Sequence, residues 1–262
     1  MSEVLAGWSE GRFAHDGVEH VFFRRGSGPG VLVIHEIPGI TPTVAAFADR
    51  VVEAGFTVLL PSLFGEVGRP KTGGYVVQQI ARACVSREFH VLAARGSSPV
   101  VDWLRALARS LHAELGGRGV GALGMCLTGN FALAMAVDDA LMAPVLSQPS
   151  LPFPVSAAHR RGIHIRDEDL AIVQGRCARD GLQVLGLRFT SDPTVPAARF
   201  DALQQALGPA FLRVDIDSSR GNPHGIPRDA HSVLTEHLVD APGHPTRAAL
   251  DQVLAFFATH LR

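Results

Sequence analysis

The chain has 262 residues, with 24 Lys plus Arg against 25 Asp plus Glu and a formal net charge of −1. No basic stripe argues for a nucleic-acid partner and no acidic run for a disordered tail, while an apolar content of 47% is enough for the core of one large domain over residues 1–262. The three cysteines, Cys84, Cys126 and Cys177, fit neither a disulfide framework nor a zinc-ligand spacing. No apolar run reaches membrane-spanning length. The first ten residues lack the basic and apolar regions of a secretory signal, so a reduced, cytoplasmic setting is expected.

Residues 11 to 25 alternate in polarity on either side of Asp16-Gly17, a strong hairpin signal. After the turn Gly26-Ser-Gly-Pro-Gly30, Val31 to Ile34 reads as a strand buried on both faces, ending in His35-Glu36. Thr43 to Ala54 has helical spacing with Gly55 as its stop, and Phe56 to Leu60 is a second buried strand, closed by Pro61. Residues 62 to 75 form a loop. Helical spacing returns over Val76 to Leu92 and over Pro99 to Leu115. Val120 to Leu123 is a strand, and Phe131 to Val137 a buried helix. Ala140 to Leu146 is the next strand, followed by a proline-dense loop that starts at Ser147. Asp167 to Cys177 is a helix with an acidic first turn, Val184 to Phe189 a strand, Val195 to Leu207 a helix and Phe211 to Ile216 a strand. A long loop over 217 to 245 precedes the closing helix, Thr246 to Leu261. Strands alternating with helices predict an α/β fold. Its sheet is mostly parallel and doubly wound, with helices on both faces and the N-terminal antiparallel hairpin at one edge.

The chain is organised around Gly124-Met-Cys126-Leu-Thr-Gly129, lying between a strand and a helix. A nucleophile on a sharp strand-to-helix turn needs a strained backbone and neighbours without a Cβ. Here the nucleophile is a thiol, and Thr128 stands where the second glycine of such a turn is usual. The free N–H groups of the new helix would lower the thiol pKa and offer donors to an oxyanion. Sites in open α/β sheets form at the carboxyl ends of strands. Those ends carry His35-Glu36, Cys126, Asp192 and, in the last long loop, His231. An imidazole in contact with a thiol can form a thiolate–imidazolium pair. His231 is the chosen base, with His224 and His237 as competitors in the same loop. Asp192 would orient it, against the plainer reading of a turn aspartate before Pro193. Asp215 and Asp217 are weaker choices for that role. Glu36, directly after a buried strand, needs a partner, and could hold the thiol proton or make a structural ion pair. The backbone N–H groups of Ile37 and Leu127 are the expected oxyanion hole. Cys84 and Cys177 lie within helical patterns and read as core residues.

The order nucleophile, acid, histidine is that of the α/β-hydrolases. The chain resembles the dienelactone hydrolase family in four motifs: His35-Glu36 with Gly39, Gly124-Met-Cys126 with Gly129, Ser191-Asp192-Pro193 with Val195-Pro196, and Ala230-His231-Ser232. That resemblance covers about Val31 to the C-terminus. It implies a Cys126, His231, Asp192 triad, with Glu36 taking the thiol proton when substrate binds. Family members acting on dienelactone grip its carboxylate with two arginines. At one matching place this chain has Thr235, which cannot form a bidentate clamp. At the other, Arg87 is the candidate substrate-binding residue, or else pairs with Glu88 or Glu36. The departure at Thr235 argues against dienelactone itself. The expectation is a cysteine-dependent hydrolase of small carboxylic esters or lactones, with thioesters open to the same mechanism. The alternative is a non-catalytic binding protein on the same fold. No cofactor is implied, since no dinucleotide fingerprint follows the first strand, and no metal site, since the histidines lack ligand spacing.

Overall fold

A computed structural model describes residues 3–85 and 98–262. Asp16 and Gly17 both take left-handed backbone, φ 48° and 79°, and fold β1 (Ser9–His15) onto β2 (Val18–Arg25) as an antiparallel pair. That two-residue geometry matches the right-handed twist of the flanking strands. The chain continues through β3 (Gly30–Ile34), α1 (Pro42–Glu53), β4 (Thr57–Ser62), α2 (Gly73–Val85) and α3 (Pro99–Leu115). β5 (Val120–Met125), α4 (Phe131–Met135), β6 (Leu141–Ser147), α5 (Ala157–Arg161) and α6 (Asp167–Asp180) follow. The last elements are β7 (Val184–Phe189), α7 (Ala197–Leu207), β8 (Phe211–Ile216) and α8 (Pro245–Leu261).

The eight strands form one sheet in the order β1-β2-β4-β3-β5-β6-β7-β8. β1–β2 and β2–β4 pair antiparallel and every other pair is parallel. All five residues of β3 and all six of β5 and β7 are buried, as continuous apolar runs in a doubly covered sheet require. Two apolar layers result. One joins α3, α4, α6 and α7 to one face of the sheet, and the other joins α1 and α8 to the opposite face. Trp103 on α3 is fully buried, and its Nε1–H donates to Phe13 O at 3.0 Å, fastening the hairpin to the helical layer. No described helix is long and apolar enough to cross a membrane.

Several boundaries differ from the sequence expectation, and four of them are instructive. Pro61 does not close β4; it lies within the strand, opposite Phe22. It is tolerated because the β3–β4 ladder stops at Leu32–Leu59, so beyond that point the missing N–H costs no central hydrogen bond. β5 runs on to Met125, which carries the strand directly into Cys126. Of the helix expected over Val76 to Leu92, the structure gives α2 from Gly73 to Val85, and 86–92 lie outside the described residues. The loop over 148–166 contains α5, whose N-cap Ser156 accepts from His159 N at 3.2 Å.

Candidate active site

The turn after β5 has the strained geometry that its sequence implies. Cys126 has φ +56°, a left-handed conformation rare outside glycine, and opens a single 3-10 turn over Cys126–Thr128. A Cβ at Gly124 would lie 2.1 Å from Thr128 O, and one at Gly129 would lie 2.5 Å from Pro149 Cα. Neither place admits a side chain. Thr128 takes the position of the usual second glycine for a reason of its own. Its Oγ1 accepts from Met125 N at 3.0 Å and lies 2.9 to 3.2 Å from the carbonyls of Met125, Ile34 and His35. The hydroxyl thereby joins the elbow to the end of β3. Removing it would leave a buried N–H unpaired, at about 1–3 kcal/mol.

β7 delivers Asp192, 4% exposed, and the last loop delivers His231. His231 Nδ1 and Asp192 Oδ2 are 2.6 Å apart. The other oxygen of Asp192 accepts from Thr194 N at 2.8 Å and Thr194 Oγ1 at 2.7 Å. Both sequence readings of Asp192 hold together, since one oxygen builds the turn and the other meets the histidine. Burial alone would raise the Asp192 pKa, but the hydrogen bond and charge of His231 and the two bonds from Thr194 together outweigh it and hold the carboxyl below its usual range. Burial works the other way on His231 and would lower its pKa. The Cys126 sulfur beside it and the Asp192 hydrogen bond overcome burial and lift the imidazole well above 6.5. The competing histidines stand elsewhere. His237 Nδ1 accepts from His231 N at 3.4 Å and Ser232 N at 3.2 Å, bracing the backbone of the site histidine, while the His224 ring packs on His244. Asp215 pairs with Arg188 and Arg213, and Asp217 is an exposed cap on Ser219 N.

Glu36 is 2% exposed. Its carboxylate accepts from Ser232 Oγ at 2.6 Å, from Thr235 Oγ1, and from Gln148 Nε2 at 3.5 Å. All three donors are neutral, and no ion pair to Glu36 occurs among the described residues. The expected pairing partner Arg87 lies outside the described residues, so among those described it is neutral donors that meet the carboxylate. Thr235 does not face the cavity; it secures Glu36 from behind. His35 anchors the same corner. Burial depresses its pKa to about 4, so the ring is neutral at pH 7. Leu63 N donates to His35 Nε2 at 3.1 Å, which leaves Nδ1–H to donate to Glu36 O at 3.0 Å.

A cavity of about 220 Å³ opens over Cys126. Its polar lining is Glu36, Cys126, Ser150, Thr194 and His231. Ile37, Val76, Ile80, Leu127 and Phe153 supply apolar walls, and exposed Lys71, the chain's sole lysine, borders it. Both residues expected to supply oxyanion donors, Ile37 and Leu127, thus stand at this cavity. Ligand atoms of Glu36, Cys126 and His231 lie within 4.8 Å of one another. That compactness would suit a thiophilic cation and equally suits proton exchange among a carboxylate, a thiol and an imidazole. Arg87 lies outside the described residues. Cys177 is half-buried, and burial pushes its thiol pKa up.

Sequence reasoning missed Ser150, whose Oγ stands 3.6 Å from Cys126 Sγ and whose N–H donates to Cys126 O at 2.9 Å. It also missed Gln148 and Ser232 as partners of Glu36. Only Thr194 had a local signal, since a hydroxyl residue two places after an aspartate favours a side-chain turn.

A parallel sheet with helices on both faces, a left-handed thiol residue after its fifth strand, and an Asp–His pair from two later loops define an α/β-hydrolase fold. The model of the dienelactone hydrolase family matches residues 17–261, and the chain belongs to that family. It is therefore a hydrolase. Similar solved structures include a Klebsiella pneumoniae protein described as a dienelactone hydrolase, 16% identical, TM-score 0.65, covering 97% of this chain and 98% of that one. A dienelactone hydrolase from Anabaena variabilis is also 16% identical, TM-score 0.61, with the same coverage. A dienelactone hydrolase-like promiscuous phosphotriesterase from metagenomic libraries is 17% identical, TM-score 0.62, again covering 97% and 98%. These likenesses show the shared fold. No curated protein matches the sequence.

Proposed function

We propose that this hydrolase cleaves small carboxylic esters or lactones through an acyl-thiol intermediate on Cys126. The observation that carries this reading is the continuous contact from thiol to imidazole to carboxylate: Cys126 beside His231, and His231 2.6 Å from Asp192. Asp192 fixes the Nδ1–H tautomer and favours the charged ring, so Nε2 is left for proton traffic with sulfur and substrate. Glu36 takes the thiol proton, which requires only that Ser232 or Thr235 rotate a hydroxyl from donor to acceptor.

The thiolate attacks the carbonyl carbon, and the N–H groups of Ile37 and Leu127 receive the oxyanion. The tetrahedral intermediate collapses as His231 gives its proton to the departing alkoxide. Water then attacks the thioester, His231 takes a proton from it, and a second collapse releases the acid and restores the thiolate. A lactone gives the ring-opened hydroxy acid by the same steps. A thioester substrate differs only in its leaving group. The cavity, close to 220 Å³ and walled by aliphatic and aromatic side chains, favours a compact apolar acyl group.

The test is hydrolysis of a panel of activated esters, thioesters and lactones by wild type and Cys126→Ala, with intact mass spectrometry of the protein. The expected result is an acyl adduct on Cys126 and loss of turnover in the variant. Turnover that survives Cys126→Ala would remove Cys126 as the nucleophile. As a companion measurement, alkylation at pH 7 should be faster at Cys126 than at Cys177.

A further inference from the structure

Arg199 sits in the first turn of α7, and its side chain is fully buried. A guanidinium has five N–H donors, and here each has a carbonyl partner. Nε donates to Gly162 O at 2.8 Å. Nη1 donates to Pro149 O at 2.6 Å and Thr194 O at 3.3 Å. Nη2 donates to Pro152 O and to His159 O at 3.2 Å. Among the described residues no carboxylate bonds to it. Burial lowers its pKa to about 10, against the raising effect of the Asp192 charge, so the group is cationic at neutral pH.

Four of the five carbonyls belong to the loop between β6 and α6, and the fifth to the turn that follows Asp192. That loop is one wall of the cavity. It carries Phe153, and it carries Ser150, whose N–H and Oγ meet Cys126. Its Pro149 packs so closely on Gly129 that the elbow admits no Cβ there. The loop has little regular structure of its own beyond the five-residue α5. What sets its position is a rigid planar fork that reads five carbonyls at once.

We propose that Arg199 is a positioning residue for the hydrolytic site: it sets the acyl-binding wall in register with Cys126 and with the Asp192 turn. The inference rests on the hydrolysis proposed above. It predicts that Arg199 governs which acyl groups fit and how well they are aligned, from outside the cavity and without touching substrate.

Arg176 supplies the matched control. It is 1% exposed and also binds carbonyls, those of Ala136, Asp138 and Leu141 at 2.6 to 2.9 Å. Those lie in the connection from α4 and at the first residue of β6, whereas Arg199 holds the loop that leaves the end of β6. Arg176 lines no part of the site cavity.

The experiment compares Arg199→Lys, Arg199→Met and Arg176→Met with wild type. It uses acetyl, butyryl and benzoyl esters of one leaving group. It records kcat and KM separately, the pH profile, thermal unfolding, and the rates at which iodoacetamide and a bulky N-aryl maleimide alkylate Cys126. For both Arg199 variants, kcat/KM on the best ester should fall about tenfold or more, since small misplacements are costly. The ranking of acyl groups should change, as should the ratio of the two alkylation rates. Lysine keeps the charge but cannot span five acceptors, so Arg199→Lys should behave like Arg199→Met with its pH profile unmoved. Arg176→Met should unfold at lower temperature yet keep the wild-type ranking and alkylation ratio.

Arg199 variants that lose only thermal stability, with ranking and ratio intact, would reduce Arg199 to a structural residue. Full recovery in Arg199→Lys would overturn registration of the wall in favour of a charge effect on Asp192. Should Arg199→Met not fold, Arg199→Lys carries the comparison. Failure of every ester with wild type counts against hydrolysis at Cys126, and the alkylation ratio then still decides whether Arg199 sets the wall.

Discussion

Two buried carboxylates flank Cys126, and they are satisfied in opposite ways. Asp192, 4% exposed at the end of β7, gives one oxygen to His231 at 2.6 Å and the other to its own turn. Glu36, 2% exposed after β3, meets two hydroxyls and an amide. A carboxylate bonded to an imidazole that it helps keep protonated is committed to its charge. One surrounded by rotatable hydroxyls can gain or lose a proton while its neighbours reorient. Depth of burial is the same; the partners decide which group fixes a charge and which one can pass a proton.

The largest effect is expected where the committed side is broken. Asp192→Asn should lower kcat about 10³- to 10⁴-fold, because the histidine loses its tautomer and its charge support. Acylation and deacylation should both slow in pre-steady-state kinetics, since the proposed mechanism uses His231 in both. Deacylation at the wild-type rate would place the orienting role elsewhere.

Protonation separates the two sides without mutation. The His231 pKa is raised by folding, so its contribution is complete below its ordinary value of 6.5 and is lost as pH rises through the raised value. The Asp192 pKa is lowered, so its contribution is present above 3.8 and is lost as pH falls through the folded value. His35, on the Glu36 side, runs the other way from His231. Its pKa falls from 6.5 to about 4, so the unfolded chain binds the proton first and stability drops as pH falls through that window. At about 1.4 kcal/mol per unit, the loss is of order 3 kcal/mol by pH 4. Urea unfolding between pH 7 and 4 should show this slope in wild type. A smaller slope is expected in His35→Gln; an equal slope would clear His35 of the effect.

Glu36→Gln should be the milder active-site lesion, about 100-fold in acylation, the low end of the range of a single proton-transfer role. Deacylation, in which no thiol proton moves, should stay near wild type. Equal slowing of both steps would make Glu36 a second orienting group rather than a proton acceptor.

The smallest effect is expected behind Glu36. Thr235→Val keeps the volume but removes one donor, and should cost about 1–3 kcal/mol of stability in denaturant titration. Activity should fall only severalfold. If Thr235→Val were as inactive as Glu36→Gln, the hydroxyl itself would belong to the proton path.

Much of this architecture is legible along the chain, because its causes are local. Asp16-Gly17 allows a tight left-handed hairpin turn, the apolar run Val31 to Ile34 needs cover on both faces, and Gly124 and Gly129 leave room for a sharp turn at Cys126. The order of Cys126, Asp192 and His231, after β5, after β7 and in the loop after β8, is also a property of the chain. Pro61 shows the limit of such reading. Proline closes a central strand, but whether a strand is still central at that residue depends on where its neighbour stops.

What only the folded molecule decides is pairing across long separations. Nothing near residue 36 in the chain indicates that its carboxylate meets Ser232 and Thr235. Nothing near residue 199 indicates that its guanidinium reads four carbonyls of a loop some forty residues earlier and one beside Asp192. The choice of His231 over His224 and His237 belongs to the same class, since all three occupy one loop and only its folded path brings one of them to Asp192. Local sequence sets backbone shape and apolar cover. A buried polar group takes whatever partner the packing brings within 3 Å, and the chain between them carries no trace of that choice.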